Sequence, residues 1–309
     1  MKALDISKKL NETILNKEFE GIVHSVFDNS FNVLTEDNKF ITFLNSKKLM
    51  SPYSIRIEED VSFLDKGIKP RVKVQILSKL VSINELDIKI YYSAATLWDE
   101  KPNLTFSKDV EKNVDIKLER IEEVLLTEGK KNGIFPLLIT LKERIGRIDW
   151  IYESDMKLGK NEIYIREKFL EFIDSYIKGD IEKLSVQVKN IIGFGIGLTP
   201  SMDDFLAGLM VSGIYLHYYL GYSIGSAYEI NYAMVKDIKN RTTRVSEEML
   251  IFSSEGEVNE DIRDLMISFL GDASLDMFSY NLRRVINIGE TSGTDILLGI
   301  YIGSLILLN

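Results

Sequence analysis

The spacing of apolar residues changes period once along this chain, and that change constrains the fold more than any other feature. From about residue 21 to residue 90 the apolar residues alternate. The runs are Gly-Ile-Val-His-Ser-Val-Phe, Phe-Asn-Val-Leu-Thr, Phe-Ile-Thr-Phe-Leu, Arg-Val-Lys-Val-Gln-Ile-Leu and Leu-Asp-Ile-Lys-Ile. Period two with β-branched and aromatic residues predicts strands half-buried on one face. The breaks at Asp28-Asn29, Glu36-Asp37-Asn38 and Lys66-Gly67 are turn formers, and Asn29 and Asn38 read as hairpin residues. The spacing predicts an antiparallel sheet or a small barrel.

Beyond Pro102 the period becomes that of a helix. Ser107 can cap a helix whose apolar positions Val110, Val114, Leu118, Ile121 and Leu125 recur every three or four residues, with Gly129 and Gly133 to end it. Further helices are predicted at about 161–178, 180–192, 200–220, 226–239, 244–253, 257–270, 273–287 and 293–308. Evidence for strands after residue 150 is poor. The expected fold is α+β, with a β-rich N-terminal sheet or small barrel over residues 1–100. A mainly α-helical C-terminal domain over residues 101–309 would follow and carry the glycine-rich motifs.

The chain of 309 residues is 45% hydrophobic and 28% charged, enough to build a core without staples. It has no cysteine, which removes disulfides, thiolate metal sites and a thiol nucleophile, and two isolated histidines make a poor zinc site. A net charge of −9 opposes general binding to nucleic acid or to an anionic membrane. Residues 2–20 carry acids where a secretory leader would be apolar. The apolar windows 205–220 and 296–308 fall short of the roughly 20 residues that span a bilayer. Buried helices and a cytoplasmic location are the expectation.

Residues 193–208 read Gly-Phe-Gly-Ile-Gly-Leu-Thr-Pro-Ser-Met-Asp-Asp-Phe-Leu-Ala-Gly. Gly193, Gly195 and Gly197 free the backbone to bend or to approach a ligand. Thr199 is placed to N-cap a helix, Pro200 to take its first position, and Ser201 and Asp204 have the spacing of a capping box. Unpaired amides at a helix start suit a phosphate or carboxylate. No Lys-Ser/Thr follows the glycines, so this is not a Walker A loop, and no strand pattern precedes it. The plain alternative is a tight connection between two helices.

A second segment weakens that alternative. Residues 289–299 read Gly-Glu-Thr-Ser-Gly-Thr-Asp-Ile-Leu-Leu-Gly. With Asp295 placed on Asp204, Leu297 falls on Leu206 and Gly299 on Gly208. Gly289 and Thr291 match Gly197 and Thr199 with one residue inserted, and Ser292 and Asp295 repeat the capping spacing. Two such helix starts suggest a pseudo-symmetric pair converging on one ligand, with Gly208 and Gly299 letting the helices approach closely. Asp204 would be spent on its cap, leaving Asp203 as an extra carboxylate. Asp203, Asp204 and Asp295 could serve in acid–base catalysis or hold Mg²⁺ against a phosphate. Acids at helix starts are often only structural.

A third segment, Arg241-Thr-Thr-Arg-Val-Ser-Glu-Glu-Met, offers Thr242 or Thr243 as an N-cap and Ser246 as a further hydroxyl. Arg241 and Arg244 are forked donors for a carboxylate or phosphate, although a solvated helix start explains the same residues. His24 and His217 read as ordinary structural residues. No Gly-x-Ser-x-Gly elbow is present.

The three segments, in this order and spacing, resemble the AllH family of oxamate carbamoyltransferase subunits from anaerobic allantoin degradation. The resemblance covers most of the chain. It departs at Met202, where the family usually has Gly, and at Thr294, where it often has an aromatic residue. It implies carbamoyl transfer between oxalurate and phosphate, giving oxamate and carbamoyl phosphate, and it implies partner subunits. On that basis Gly195, Gly197, Thr199, Ser201, Thr291, Ser292 and Gly293 would bind the phosphate or carbamoyl phosphate. Arg241 or Arg244, beside Thr242, Thr243 and Ser246, would meet the substrate carboxylate. Two other classes stay open at this point: a different phosphate- or nucleotide-handling enzyme on this scaffold, and a non-catalytic ligand-binding partner in an enzyme complex.

Overall fold

The first hundred residues build a nine-stranded sheet in the order β8-β7-β6-β2-β3-β4-β5-β1-β9. A computed structural model describes residues 1–101, 114–146 and 158–308, so the expected cap Ser107 and apolar Val110 lie outside the described residues. The strands are β1 (Ala3–Ser7), β2 (Phe19–Val26), β3 (Ser30–Thr35), β4 (Phe40–Leu44), β5 (Ser54–Ile57), β6 (Lys73–Leu77), β7 (Leu80–Ile83), β8 (Ile88–Tyr91) and β9 (Thr96–Trp98). Helix α1 (Lys8–Asn16) follows β1, with Ser7 as its N-cap. Period two becomes an inner and an outer face. In β2, Phe19, Gly21 and Val23 are buried while Glu20, Ile22 and His24 are exposed. Phe31 of β3 pairs with Phe43 of β4, their rings stack at 4.5 Å, and Phe63 meets Phe31 edge-on at 4.9 Å. Each such aromatic contact adds about 1 kcal/mol beyond its buried area.

Asn38 turns the β3–β4 hairpin with φ of 60°. The sheet departs from the antiparallel expectation at two joins, because β4 pairs with β5 and β1 with β9 in parallel. The connection between β4 and β5 is too long for a tight hairpin, so β5 returns to run the same way. A bridge from Lys2 to Tyr91 links the start of the chain to β8, so the sheet curls toward a barrel. Strands β1, β5, β7 and β9, of three to five residues, lie outside the alternating runs read from the sequence.

The rest of the chain is helical among the described residues. The helices are α2 (Val114–Glu128), α3 (Leu138–Arg144), α4 (Lys160–Ile177), α5 (Ile181–Gln187), α6 (Ser201–Leu220), α7 (Ile224–Val235), α8 (Arg244–Ser254), α9 (Glu260–Leu270), α10 (Leu275–Ile286) and α11 (Ser292–Leu307). Every residue of α6 from Ser201 to His217 is buried, as is α11 from Gly293 to Leu305. A helix apolar all round belongs at a core centre, and α6 and α11 form it. No described helix is long and apolar enough to cross a membrane. Helix α3 is seven residues long, too short to display a helical period in the sequence. By internal contacts the chain divides into one unit of residues 1–102 with 258–260, and a second of residues 103–257 with 261–309.

Candidate functional site

Helices α6 and α11 touch backbone to backbone at two glycines, and the contacts are reciprocal. A Cβ on Gly208 would lie 2.0 Å from the Ile296 carbonyl oxygen, and one on Gly299 would lie 2.1 Å from that of Phe205. Position 296 is the equivalent of 205 under the alignment of Asp204 with Asp295, so each glycine meets the other's partner. One turn further on, a Cβ on Gly303 would strike Ser212 Oγ, and 303 is the equivalent of 212. This is the signature of a local two-fold axis between the helices, and it puts both N-termini at one end. There the Thr199 and Ser292 hydroxyls hydrogen-bond at 3.1 Å.

The expected caps do not form. Pro200 takes the N-cap position and α6 begins at Ser201, with no side-chain cap. Pro200 is held at its fixed φ and has no amide to spare, which suits the entry to the helix. Thr199 therefore sits one residue outside. Thr291 occupies the N-cap of α11, again with no side-chain bond to the helix amides. The true equivalents are Pro200 and Thr291, whose carbonyls accept the Asp204 amide at 3.1 Å and the Asp295 amide at 3.0 Å.

The roles of the adjacent carboxylates are also the reverse of the expectation. Asp203, not Asp204, ties the backbone: its Oδ1 accepts the Gly193 amide at 2.7 Å. Its Oδ2 accepts the Ser246 hydroxyl at 2.6 Å and the Thr242 hydroxyl. Asp203 thus staples the glycine loop to the start of α8. Neither oxygen of Asp204 accepts a well-formed hydrogen bond, although the residue is only 1% exposed; the Ser292 and Thr199 hydroxyls stand near it without closing one. Asp295 accepts the Ile134 amide at 3.1 Å on Oδ1, while its Oδ2 is buried without a partner.

Burial drives the electrostatics of all three. Desolvation pushes the Asp295 carboxyl up to about 7, against the Ser201 hydroxyl, the Ile134 amide and the Thr291 hydroxyl. Desolvation also holds Asp204 well above the usual carboxylate range, opposed by Ser292 and Thr199 and reinforced by the charges of Asp295 and Asp203. Asp203 is raised by burial and lowered by the Gly193 amide and the Ser246 and Thr242 hydroxyls. The hydroxyls are exchanged across the axis: Ser201 of α6 faces Asp295 of α11, and Ser292 of α11 faces Asp204 of α6.

The glycine loop folds back on the first residues of α6, where the Met202 amide donates to the Phe194 carbonyl at 3.0 Å. Gly195 has φ of +124°, and a Cβ there would sit 2.4 Å from the Ser201 amide nitrogen. Among the described residues the amides of Ile196, Gly197, Leu198 and Thr199 donate to no protein acceptor. Ile196 is 92% exposed. The arrangement therefore joins a run of open N–H donors to a helix start that carries carboxyls of raised proton affinity, which suits a small anion with both acceptor and donor groups.

Comparison with known proteins finds two family matches along the chain. Residues 191–304, which contain both helix starts, match the family described as oxamate carbamoyltransferase subunit AllH. Residues 2–97, the sheet, match the AllH family N-terminal domain. The chain belongs to the AllH family. No solved structure matches it.

The remaining residues can be placed within this AllH chain. Gly293 is buried against α10, where a Cβ would lie 2.0 Å from the Val285 carbonyl oxygen, so it serves packing. Thr243 N-caps α8 by accepting the Ser246 amide at 3.1 Å, and its hydroxyl donates to the Leu198 carbonyl. Arg244 pairs with Glu247 at 3.3 Å and with Glu248 on its own helix, and the exposed Arg241 bonds the Asp237 carbonyl at 3.2 Å. Met202 is fully buried, so its side chain does not line the exposed loop. Thr294 is also buried, and its Oγ1 accepts the Lys130 amide at 3.0 Å.

That last bond exposes what the sequence reading missed. Residues 129–134 lie against the start of α11, with Gly133 close to Asp295 and Ser201. They bring the exposed Lys130 and Lys131 to this end of the helix pair. The Lys130-Lys131-Asn132-Gly133 stretch reads only as a helix stop; its contact with residues 164 positions away leaves no local signal. Among the described residues no three His, Cys, Asp or Glu side chains gather as a metal cluster. The hollow of about 480 Å³ on the sheet, lined in part by Glu20, Lys73, Gln75 and Asn84, involves none of these motifs.

Proposed function

We propose that this chain is the substrate-binding subunit of a transferase that interconverts oxalurate plus phosphate with oxamate plus carbamoyl phosphate. The anionic substrate would bind at the paired N-termini of α6 and α11. The observation that carries the reading is Asp204: a buried carboxyl with neither oxygen in a well-formed hydrogen bond, in the first turn after a loop of open amides. Membership in a family of oxamate carbamoyltransferase subunits supports the chemistry.

In this reading the loop amides at 196–199, with the Thr199 and Ser292 hydroxyls, hold phosphate oxygens. Lys130 and Lys131 supply counter-charge at the surface. A phosphate oxygen attacks the ureido carbonyl of oxalurate, a C–O bond forms and the C–N bond to the oxamate nitrogen breaks. The leaving nitrogen needs one proton and the attacking hydrogen phosphate loses one. Two carboxyls with raised proton affinity, Asp204 and Asp295, are suited to shuttle it, because an acid works best with a pKa near the working pH. Partner subunits complete the enzyme, and a cytoplasmic reaction fits these metabolites.

Titration calorimetry with carbamoyl phosphate, phosphate and oxamate, on the chain alone and with its partner subunits, tests the reading. Carbamoyl phosphate should bind and phosphate should compete with it. Binding of none of them in either preparation would remove the reading.

A further inference from the structure

We propose that Asp204 and Asp295, with the hydroxyls of Ser201, Ser292 and Thr199, bind one divalent cation of the magnesium class between the first turns of α6 and α11. The proposal stands on three buried oxygens. Asp204 Oδ1, Asp204 Oδ2 and Asp295 Oδ2 are shielded from water and accept no well-formed hydrogen bond, the hydroxyls of Ser292, Thr199 and Ser201 lying near them. Asp204 is 1% exposed and Asp295 0% exposed. Buried carboxylates are paired with cations, are neutralised, or coordinate a metal. Neither residue forms an ion pair with a Lys, Arg or His side chain among the described residues.

The donor set selects the class of ion. Every available group is a carboxylate or hydroxyl oxygen, with no imidazole or sulfur, which suits Mg²⁺ or Mn²⁺ and not zinc or copper. Magnesium is ordinarily held by one or two carboxylates and keeps its other positions for water and phosphate oxygens. Two carboxylates without a third acid therefore match that habit. Asp203 is excluded as a ligand because both its oxygens already accept protein donors. The two helix ends present roughly +0.5 charge each, which opposes a cation but is outweighed by two ionised carboxylates. The two-fold exchange of Ser201 and Ser292 places one hydroxyl beside each carboxylate.

A cation on these carboxylates takes the place of the protons assigned to them above, so the metal-bound and protonated forms are alternative states of one site, and the cation can fail separately from the organic ligand. Metal-free full-length protein titrated with Mn²⁺ alone and followed by electron paramagnetic resonance should show one bound ion per chain, displaced by Mg²⁺. Asp204→Asn and Asp295→Asn should abolish that binding, and Ser292→Ala should weaken it by about tenfold, as second-rank ligands commonly do. Ser201→Ala, which removes no charge, should weaken it similarly and keeps the test valid if an Asn variant misfolds. Absence of a bound ion in the native protein, or binding unchanged in both serine variants, overturns the proposal. Carbamoyl phosphate binding in a chelator with no Mn²⁺ site would sink the cation alone. A Mn²⁺ site without carbamoyl phosphate binding would leave the cation standing and sink the substrate reading.

Discussion

The starts of α6 and α11 are alike in their packing and unlike in their loops. Below the first turn they obey one two-fold relation, with Gly208 on Ile296 and Gly299 on Phe205. Above it they diverge at equivalent positions: Asp203 staples the glycine loop to α8, while Thr294 holds the backbone at Lys130. Asp204 accepts no well-formed hydrogen bond, but its equivalent Asp295 is anchored on one side by the Ile134 amide. Symmetry thus fixes the equivalent places of the two carboxyls, and asymmetry fixes what surrounds each. A repeated scaffold holds two similar acids in different settings, and burial raises the proton affinity of both.

The comparison breaks first at the glycines. Alanine at Gly208 or Gly299 forces a Cβ into a main-chain carbonyl, and each should destabilise the helical unit by at least about 4 kcal/mol. Thermal melting of both variants should give similar losses; a loss at only one would refute the two-fold relation. Next comes pH, in metal-free buffer. The Asp295 carboxyl moves from an ordinary value of 3.8 to about 7 in the fold, so folding favours its protonated form. Its stabilising contribution is full below about 3.8 and is lost as pH rises through about 7. The loss should be on the order of 4 kcal/mol, read as falling denaturation midpoints, and Asp295→Asn should flatten it.

Smaller effects separate the loops. Asp203→Ala strands the Gly193 amide and two hydroxyls and should cost about 2 kcal/mol, whereas Thr294→Val should cost less than about 1 kcal/mol because Lys130 lies at the surface. Equal losses in denaturant unfolding would contradict the asymmetry. Thr199→Val should be smallest for stability, within about 0.5 kcal/mol, yet it should weaken phosphate binding in calorimetry by removing a donor beside the loop amides.

Much of this was legible in the sequence. The change of period separated strands from helices because amphipathic alternation is a local property. The pairing of residues 193–208 with 289–299 was legible because both copies keep Asp-x-Leu-x-Gly. What local pattern hid was the division of labour between Asp203 and Asp204. Both sit in a first helical turn, and only the Gly193 amide and the α8 hydroxyls, brought in by tertiary packing, decide which is tied. The arginines of residues 241–249 read as ligand donors from composition, but Arg244 finds acids three and four residues on in its own helix. Lys130 and Lys131 carried no motif at all.

The central claim is that Asp204 and Asp295 act on substrate and do not merely cap helices. The direct measurement is carbamoyl phosphate formation by the complete enzyme carrying Asp204→Asn, alongside the melting temperature of the same variant subunit. The account predicts that turnover falls by about 100-fold or more while the melting temperature holds or rises, since a buried unpaired acid is replaced by a neutral amide. Full turnover, or a loss of activity matched by loss of fold, would contradict it.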